Sequence, residues 1–431
     1  MRLRKTRHLG RFVLKNIRCF ASTGIPLDPK ITVIIGGNGA GKTTLVEALA
    51  SLAGPPEGLP AFPLRKGENN GEILLYEAGH AEPVSYWKQD GNGEHRLNLE
   101  DDRWLFAYGG YRRVFDPNEQ QPKDGRAMDP VLLLESLAAH ADKDRTSTLN
   151  HPDNHLLADL SRYLVALNTG RESDKRLQKV WEHLNTSLPK MEASLSEIQM
   201  RTERSEYIPL IVRNGVPLEI GQLSDGYQAL LVVIFDLILR YPYLFTQLEN
   251  PLEGAGIVAI DEVDLHLHPR WQRNVISQLG QLFPNTQFIL TTHSPMVVQG
   301  AIDAGMTVVT LHENKGSVVA RKLPPGVMSE MKGAEVGSVL FEDHLFGLNS
   351  RYSPEVEAQE KRADELQKKV SSGAATGADV SELSQHLSNM EKLVAKEDLR
   401  RADGSSVSQM VRLQNAFVQD LIRELKKVKS E

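Results

Sequence analysis

Eight consecutive residues near the start of the chain, GGNGAGKT, join glycines to a lysine and a hydroxyl residue in a spacing that can bind phosphate. They fit G-x-x-x-x-G-K-[ST], in which the glycines let backbone N–H groups turn toward phosphate oxygens. Lys42 can reach the β and γ phosphates of a nucleotide, and the Thr43 hydroxyl can ligate Mg²⁺. The motif therefore predicts a site for ATP and Mg²⁺. The candidate ATP-binding residues are Gly36, Asn38, Gly39, Gly41, Lys42, Thr43 and Thr44.

Two adjacent carboxylates and a histidine can complete the chemistry of phosphate hydrolysis. Asp261 and Glu262 follow the apolar run GIVAI, so a buried strand would place them at its C-terminal end. There Asp261 can hold Mg²⁺ together with Thr43, and Glu262 can act as the general base that polarises the attacking water. His293 follows the run FILTT, and it reaches the same sheet edge if the strands are parallel. Asp261, Glu262 and His293 are the predicted catalytic residues.

The stretch LSDGYQ, residues 223–228, opens a long apolar helix and supplies a second candidate anion site. A serine hydroxyl and the free backbone N–H groups of a helix start bind anions. Since the chain already has a phosphate loop for its own nucleotide, this second site is predicted to act on the nucleotide held by another copy. The residues predicted to act in trans are Ser224, Asp225, Gly226 and Gln228.

In this order, the motifs resemble those of the ABC-type ATPases of the RecF, Rad50 and SMC branch. The resemblance covers most of residues 10–300, with NIRCF as the opening strand, GGNGAGKTT as Walker A, LSDGYQ in place of the LSGGQ signature, GIVAIDE as Walker B, DLHLHP in the D-loop and TTHSP as the switch-histidine stretch. It implies that two heads enclose two ATP molecules, and that Ser224 and Gly226 contact γ-phosphate across the dimer. It also implies that Glu262 is the catalytic base and that His293 senses the γ-phosphate.

The sequence departs from that family pattern in two places. We find no Q-loop glutamine; AYGGYRR occupies its expected position, and Arg112 and Arg113 face either phosphate or the surface. Tyr108 belongs to the same stretch. The insertion from Pro130 to Glu203 is too short for the long coiled-coil arms of Rad50 or SMC proteins, which argues against long-distance DNA tethering.

Other reactive or charged residues receive structural interpretations. His266 and His268 lack a third metal ligand at a suitable spacing, so we interpret them as intersubunit loop residues. The single cysteine, Cys19, cannot form an intramolecular disulfide and is expected to pack in a strand. A basic cluster at the N-terminus is expected to be a solvated end, with nucleic-acid contact as the alternative. The cluster consists of Arg2, Arg4, Lys5, Arg7 and Arg11.

The elements around these residues predict an α/β fold, an ABC-type ATPase head with a mostly parallel sheet and helices on both faces. Residues 12–20 and 31–35 are predicted to form strands, EILLYEAG, PVSYWKQD and HRLNL a small antiparallel meander, and WLFAYGGY a buried strand. Further along, GIVAIDE and TQFILTT alternate with helices that begin at Asp225 and at PRWQRNV. The apolar run ALLVVIFDLILRYPYLF contains Asp236 and Arg240, which are costly in hydrocarbon, so it is predicted to be a buried helix and not a membrane span.

Composition shifts along the chain predict four regions. They are 1–129 with Walker A, a helical insertion over 130–204, 205–345 with the signature, Walker B and switch histidine, and a C-terminal helical, coiled-coil-like region over 346–431. The C-terminal helices are charged but keep an apolar stripe. That stripe packs either within an antiparallel helical pair or against a second copy or another protein.

Charge and the N-terminus limit the classes of function. A net charge of −6 argues against a protein coated with nucleic-acid-binding charge, although a local basic face stays open. The N-terminal charges are not followed by an apolar segment, which argues against a secretory signal and favours a cytoplasmic location.

The signature, D-loop and switch stretches, with the charged tail, most resemble the standalone ATPases of prokaryotic anti-phage systems, such as PtuA of Septu. That resemblance implies a homodimer or larger oligomer controlling a separate nuclease of the HNH type, docked on the ATPase, with DNA contacted directly or through the partner and no membrane. We find no nuclease signature in the chain itself. The alternatives are a RecF-like DNA-repair clamp that binds DNA directly, and the ATP-binding subunit of a membrane transporter, which the missing Q-loop argues against.

Overall fold

The computed structural model describes residues 8–52, 63–97, 99, 104–109, 164–172, 175–203, 206–347 and 354–386, with single gaps at 166, 373, 380 and 384. The chain forms two compact units, residues 1–347 and 348–431.

The described residues form strands and helices in the following order. The strands are β1 (Leu9–Ile17), β2 (Phe20–Pro26), β3 (Ile31–Gly36), β4 (Gly71–Glu77), β5 (Pro83–Asp90), β6 (Gly93–Leu97), β7 (Leu105–Tyr108), β8 (Leu195–Glu203), β9 (Glu206–Arg213), β10 (Val216–Glu219), β11 (Ile257–Ile260), β12 (Gln287–Thr292), β13 (Thr307–Asn314) and β14 (Ser317–Lys322). The α-helices are α1 (Lys42–Ala50), α2 (Lys175–Met191), α3 (Asp225–Leu244), α4 (Pro269–Leu282), α5 (Pro295–Asp303), α6 (Pro325–Met331), α7 (Val336–Phe341) and α8 (Pro354–Ser371).

A six-stranded sheet forms the centre of the first unit, in the order β14-β13-β3-β12-β11-β7. Its neighbours are parallel except for the β13–β14 hairpin. β3 and β11 are apolar and buried along their lengths, as strands covered on both faces must be. Because β3, β12 and β11 are adjacent and parallel, their C-terminal ends meet at one edge of the sheet.

Different layers cover the two faces of this sheet. One face packs on α1 and on the inner side of a five-stranded antiparallel sheet, β2-β1-β4-β5-β6. The other face packs on α2, α3, α4 and α5. The predicted antiparallel meander is confirmed in β4, β5 and β6. The predicted α/β fold, with a mostly parallel sheet and a smaller antiparallel one, is therefore confirmed.

The predicted strand over residues 12–20 is interrupted by a turn. β1 ends at Ile17 and β2 begins at Phe20, which pairs antiparallel with Ile17. Asn16 and Arg18 have φ angles of 51° and 44°, in the left-handed region that allows such a tight reversal. Cys19 lies in this turn, so the expectation that it packs in a strand is wrong.

The insertion combines a helix with strands. α2 is amphipathic and buries Leu177, Leu184 and Leu188, as its spacing predicts. The chain then forms β8 inside the predicted helical segment, and β8 pairs with β9 in a three-stranded sheet of order β10-β9-β8. The predicted helix LLLESLAAHA and most of the predicted helix HLLADLSRYLVALN lie outside the described residues.

α3 is a long apolar helix in the interior of the first unit. Its length and composition would allow it to span a membrane, but 83% of its apolar window is buried inside the protein, and the predicted buried helix is confirmed. Its Asp236 and Arg240 are each 2% exposed and form an ion pair of 2.7 Å. The Tyr108 hydroxyl donates to the same Asp236 oxygen at 2.6 Å. Burial, with the Asp236 charge beside it, raises the pKa of Tyr108 well above its usual 10.0.

The second unit contains α8, which confirms the helix predicted for EVEAQEKRADELQKKV. Arg362 donates to both carboxylate oxygens of Glu382, at 2.9 and 3.2 Å. Leu366 and Leu383 are buried. The predicted helix VSQMVRLQNAFVQDLIRELKKV lies outside the described residues.

Candidate nucleotide-binding site

The glycine-rich loop joins the end of β3 to the start of α1, the strand-loop-helix context that a phosphate loop needs. Gly39 and Gly41 have φ angles of 78° and 85°. A Cβ on Gly41 would lie 2.6 Å from the Cys19 sulfur and 2.7 Å from the Phe20 ring. Glycine is therefore required at position 41 both for its conformation and for the close packing of the β1–β2 turn against the loop.

Lys42 is folded back over the loop. Its Nζ donates to the carbonyl oxygens of Gly36 at 2.9 Å and Gly37 at 3.1 Å. Burial lowers the pKa of Lys42, while the nearby charges of Asp261, Glu262 and Asp264 act in the opposite direction. A nucleotide phosphate would offer this ammonium oxygens of higher charge than the two carbonyls.

The two predicted Mg²⁺ ligands, Thr43 and Asp261, are in contact. The Thr43 hydroxyl donates to Asp261 Oδ2 at 2.7 Å. The other Asp261 oxygen accepts from the Thr291 hydroxyl, and the Asp261 N–H donates to the Tyr108 carbonyl oxygen at 2.8 Å. A hydroxyl and a carboxylate side by side are hard oxygen ligands of the kind Mg²⁺ prefers, so the residues present fit this ion.

Glu262 lies directly after Asp261 in an unusual backbone conformation. Its φ angle is 48°, in the left-handed region. Its N–H donates to the Thr291 hydroxyl at 2.8 Å, so Thr291 bonds both the Asp261 carboxylate and the Glu262 backbone. The sequence analysis missed Thr291, because nothing in the stretch TTHSP marks this threonine as the partner of Asp261.

His293 follows β12, beside the ends of β3 and β11, at the edge where the sequence analysis placed it. Its backbone N–H donates to Asp264 Oδ1 at 3.3 Å, and the Thr292 hydroxyl donates to the same oxygen. Ser294 caps α5 through its side-chain oxygen. The loop after Glu262 and the segment carrying His293 are therefore joined through Asp264, a residue that the sequence analysis did not assign to the site.

The signature stretch divides into exposed and buried parts. Ser224 is exposed at the start of α3, with extended backbone and no side-chain capping bond. Gly226 lies against the loop 264–268: a Cβ placed on it would be 2.0 Å from the His266 carbonyl oxygen. Gln228 is 2% exposed and donates to the carbonyl oxygens of Leu223 and Gly221. The Gln228 side chain thus supports the turn before Ser224 within the same chain. Asp225 is the first residue of α3.

The remaining predicted residues fall in other places. Thr44 accepts a hydrogen bond from Arg18 at 3.1 Å, and Arg18 also pairs with Glu47 at 2.5 Å. After Thr291 and Asp264, Arg18 is a third residue beside the site that the sequence analysis did not assign to it. His268 accepts from the Arg270 N–H at 3.3 Å as the N-cap of α4. Arg112 and Arg113 lie outside the described residues.

Comparisons with known proteins identify the family of this chain. Residues 31–299 match the family described as "AAA domain, putative AbiEii toxin, Type IV TA system". The chain is 41% identical over 133 residues to the "Retron Vc95 probable ATPase" of Vibrio cholerae serotype O1 biovar El Tor, covering 30% of this chain and 25% of that protein. It is 28% identical over 325 residues to the Septu protein PtuA of Bacillus mycoides strain KBAB4, covering 73% and 40% respectively.

Among solved structures, the SMC head domain from Thermotoga maritima is 17% identical, with 74% of this chain and 99% of that chain covered and a TM-score of 0.40. The matched segments span 25% and 40% of the length of the two curated relatives.

Proposed function

Because the chain belongs to the AAA-domain family that its residues 31–299 match, as an ABC-type ATPase of the RecF and SMC branch, we propose that two copies close around two ATP molecules and so control a separate nuclease in an anti-phage defence system. ATP hydrolysis follows from the family. The closure, the partner and the defence role are the proposal.

The observation that carries the proposed closure is the state of Ser224. Its side chain is exposed and makes no capping bond at the start of α3, although serine caps helices readily. The first N–H groups of α3 have no partners within the helix, and the helix dipole favours an anion there. An uncapped serine at this position, on a chain that has its own phosphate loop, is suited to the γ-phosphate of a second copy.

Each residue of the chain's own phosphate site has a role in this scheme. Lys42 exchanges two carbonyl oxygens for phosphate oxygens, and Thr43 and Asp261 hold Mg²⁺, which when bound neutralises phosphate charge. Glu262 accepts the proton of the attacking water, and Thr291 fixes the carboxylate's backbone through the Glu262 N–H. His293 donates to the γ-phosphate from the end of β12.

The defence role is supported by two of the relatives, a Septu protein and a retron ATPase. In this scheme a separately encoded nuclease of the HNH type docks on the C-terminal helical region of the ATPase. The ATP cycle changes how that nuclease is held. The complex acts in the cytoplasm, and DNA is contacted by the ATPase, by the nuclease or by both.

The catalytic assignment is tested with Lys42→Ala and Glu262→Gln, by nucleotide titration, steady-state turnover and sedimentation velocity with ATP. Lys42→Ala should lose ATP binding. Glu262→Gln should bind ATP, turn over at least about 100-fold more slowly and accumulate a dimer, because general-base catalysis contributes about 10² to 10⁴ in rate. Wild-type turnover by Glu262→Gln would show that the base is wrongly assigned.

Action in trans is tested by mixing two inactive variants, Lys42→Ala and Ser224→Arg. A mixed dimer has one site with an intact Lys42 from one copy and an intact Ser224 from the other. Turnover should therefore reappear on mixing, and its failure to do so would contradict the dimer. Neither protein alone should hydrolyse ATP.

The partner is tested by purifying the protein co-expressed with its native flanking genes, followed by native mass determination. A stoichiometric small nuclease is the expected result. A dimer that retains no protein, and instead binds DNA in an ATP-dependent and salt-sensitive manner, would favour the RecF-like clamp.

A further inference from the structure

Tyr227, inside the signature stretch, lies in an aromatic cluster that we call the aromatic clamp: Arg213, Tyr227 and Trp271. The Tyr227 and Trp271 rings meet edge to face, with centroids 4.5 Å apart and an interplanar angle of 65°. The Arg213 guanidinium lies 4.7 Å from the centroid of the Tyr227 ring. Such ring pairs and cation–π contacts have preferred geometries, so the clamp fixes the orientation of the first turn of α3.

The clamp reinforces a direct backbone contact between two segments. Gly226 approaches the His266 carbonyl oxygen so closely that a Cβ on Gly226 would lie 2.0 Å from it. Within the loop 264–268, the N–H groups of Leu265 and Leu267 donate back to Glu262 and Asp264 at 2.9 and 3.0 Å. The first turn of α3 and this hydrogen-bonded loop are therefore packed together without a gap.

The first turn of α4 extends the connection to the segment that carries His293. Trp271 contacts the signature, and its indole N–H donates to the carboxylate of Glu192, the residue directly after α2. The next residue, Gln272, donates to the Leu267 carbonyl oxygen at 2.9 Å and accepts from the Ser294 hydroxyl at 2.7 Å. Two consecutive side chains of α4 thus join the signature to the switch-histidine segment.

We infer that Tyr227 and Trp271 are positioning residues, which hold Ser224 and the segment carrying His293 as one rigid unit. The inference rests on the proposed function, because only in a closed dimer does Ser224 serve the partner's nucleotide while His293 serves the chain's own. The unit makes the position of each chain's signature depend on what its own His293 segment contacts. The two nucleotide sites are thereby mechanically linked.

Steady-state turnover and nucleotide affinity test the inference in Tyr227→Leu and Trp271→Leu. Misplacing a reacting group by about 1 Å costs about 100-fold in rate, so turnover should fall by 10- to 100-fold in both variants. ATP affinity should stay within twofold of the wild type, since the phosphate loop is untouched. Tyr227→Phe should retain near-normal turnover, because its ring keeps both contacts.

The matched control is Phe283→Leu. Phe283 is buried directly after α4 and packs edge to face on Phe288 at 6.2 Å and on Tyr241, near the C-terminal end of α3, at 5.4 Å. Phe283→Leu therefore loses the same kind of aromatic contact without touching the first turn of α3. Turnover of Tyr227→Leu or Trp271→Leu within twofold of this control would overturn the inference.

Hydrogen exchange in the nucleotide-free protein supplies a readout that needs neither ATP nor a dimer. Tyr227→Leu should raise exchange at the amides of Leu265 and Leu267, and Phe283→Leu should not. Unchanged exchange in Tyr227→Leu would overturn the inference. A Glu262→Gln protein that stays monomeric with ATP while this exchange result holds would refute the proposed closure and leave the rigid unit supported.

Discussion

Gly226→Ala adds one methyl group at the closest contact between the signature and the loop 264–268. The new Cβ would stand 2.0 Å from the His266 carbonyl oxygen and 2.9 Å from its carbon, whereas real Cβ atoms essentially never come within 3.0 Å of another heavy atom. The obstacle is backbone and not the end of a flexible side chain. The first turn of α3 and the loop must therefore separate by about 1 Å.

That separation should affect turnover more than stability. Overpacking of this kind costs about 1 to 3 kcal/mol of the free energy of unfolding, which a folded head of this size tolerates. A 1 Å misplacement of a positioned group costs about 100-fold in rate, and the shift also reaches Asp264, which holds the His293 N–H. We expect kcat to fall about 100-fold, with ATP affinity within twofold of the wild type.

The matched control is Gly221→Ala, five residues earlier in the same region. A Cβ on Gly221 meets nothing within 4 Å, and its φ angle is not in the left-handed region. Steady-state turnover and denaturant unfolding should be measured for both variants. The steric reasoning is refuted if Gly226→Ala turns over ATP within twofold of Gly221→Ala.

Three further predictions concern the site and the interior. Thr43→Val removes the hydroxyl that bonds Asp261 and that is predicted to ligate Mg²⁺. Titrations should therefore show weaker ATP binding in the presence of Mg²⁺ and unchanged ATP binding in EDTA. An equal loss of affinity in both would contradict the ligand assignment. Arg240→Met leaves the buried Asp236 carboxylate without its Arg240 partner, which should cost about 3 to 5 kcal/mol in urea unfolding. Adding both Asp236→Leu and Tyr108→Phe should recover most of it, because the Tyr108 hydroxyl that donates to Asp236 is then removed as well; a single-variant loss below 1 kcal/mol would be inconsistent with this. The pKa of Tyr108 is raised in the folded state, so the unfolded chain loses the Tyr108 proton first as pH rises. The free energy of unfolding should therefore fall above about pH 10, by up to about 1.4 kcal/mol per pH unit. Tyr108→Phe should flatten this slope, and an unchanged slope would be evidence against the raised pKa.

The sequence predicts where the candidate site residues lie because each motif there is tied to an element of its own. A β-branched run ends at Gly36 and another apolar run ends at Ile260, so the residues that follow must lie at strand ends. Parallel pairing then brings Thr43, Asp261 and His293 to one edge. Local pattern and global topology agree at this edge, which is the condition under which sequence reasoning works.

The sequence does not predict features that depend on contacts between distant segments. Thr291 appears in the sequence as an ordinary β-branched strand residue, and only the neighbouring strand reveals that its hydroxyl bonds Asp261. The reversal at Arg18 places a non-glycine residue in the left-handed region, which local propensity disfavours. The contact of Tyr227 with Trp271 joins residues whose partnership no periodicity encodes.

Because Glu262 has a left-handed backbone, selection for stability and selection for turnover favour different residues at this position. Holding a side-chain-bearing residue in this region costs about 1 to 2 kcal/mol, a cost that glycine does not have. A library screened only for thermal stability would therefore favour Glu262→Gly and discard the carboxylate proposed as the base. A glutamate in this conformation is what selection for turnover, opposed by selection for stability, would be expected to produce.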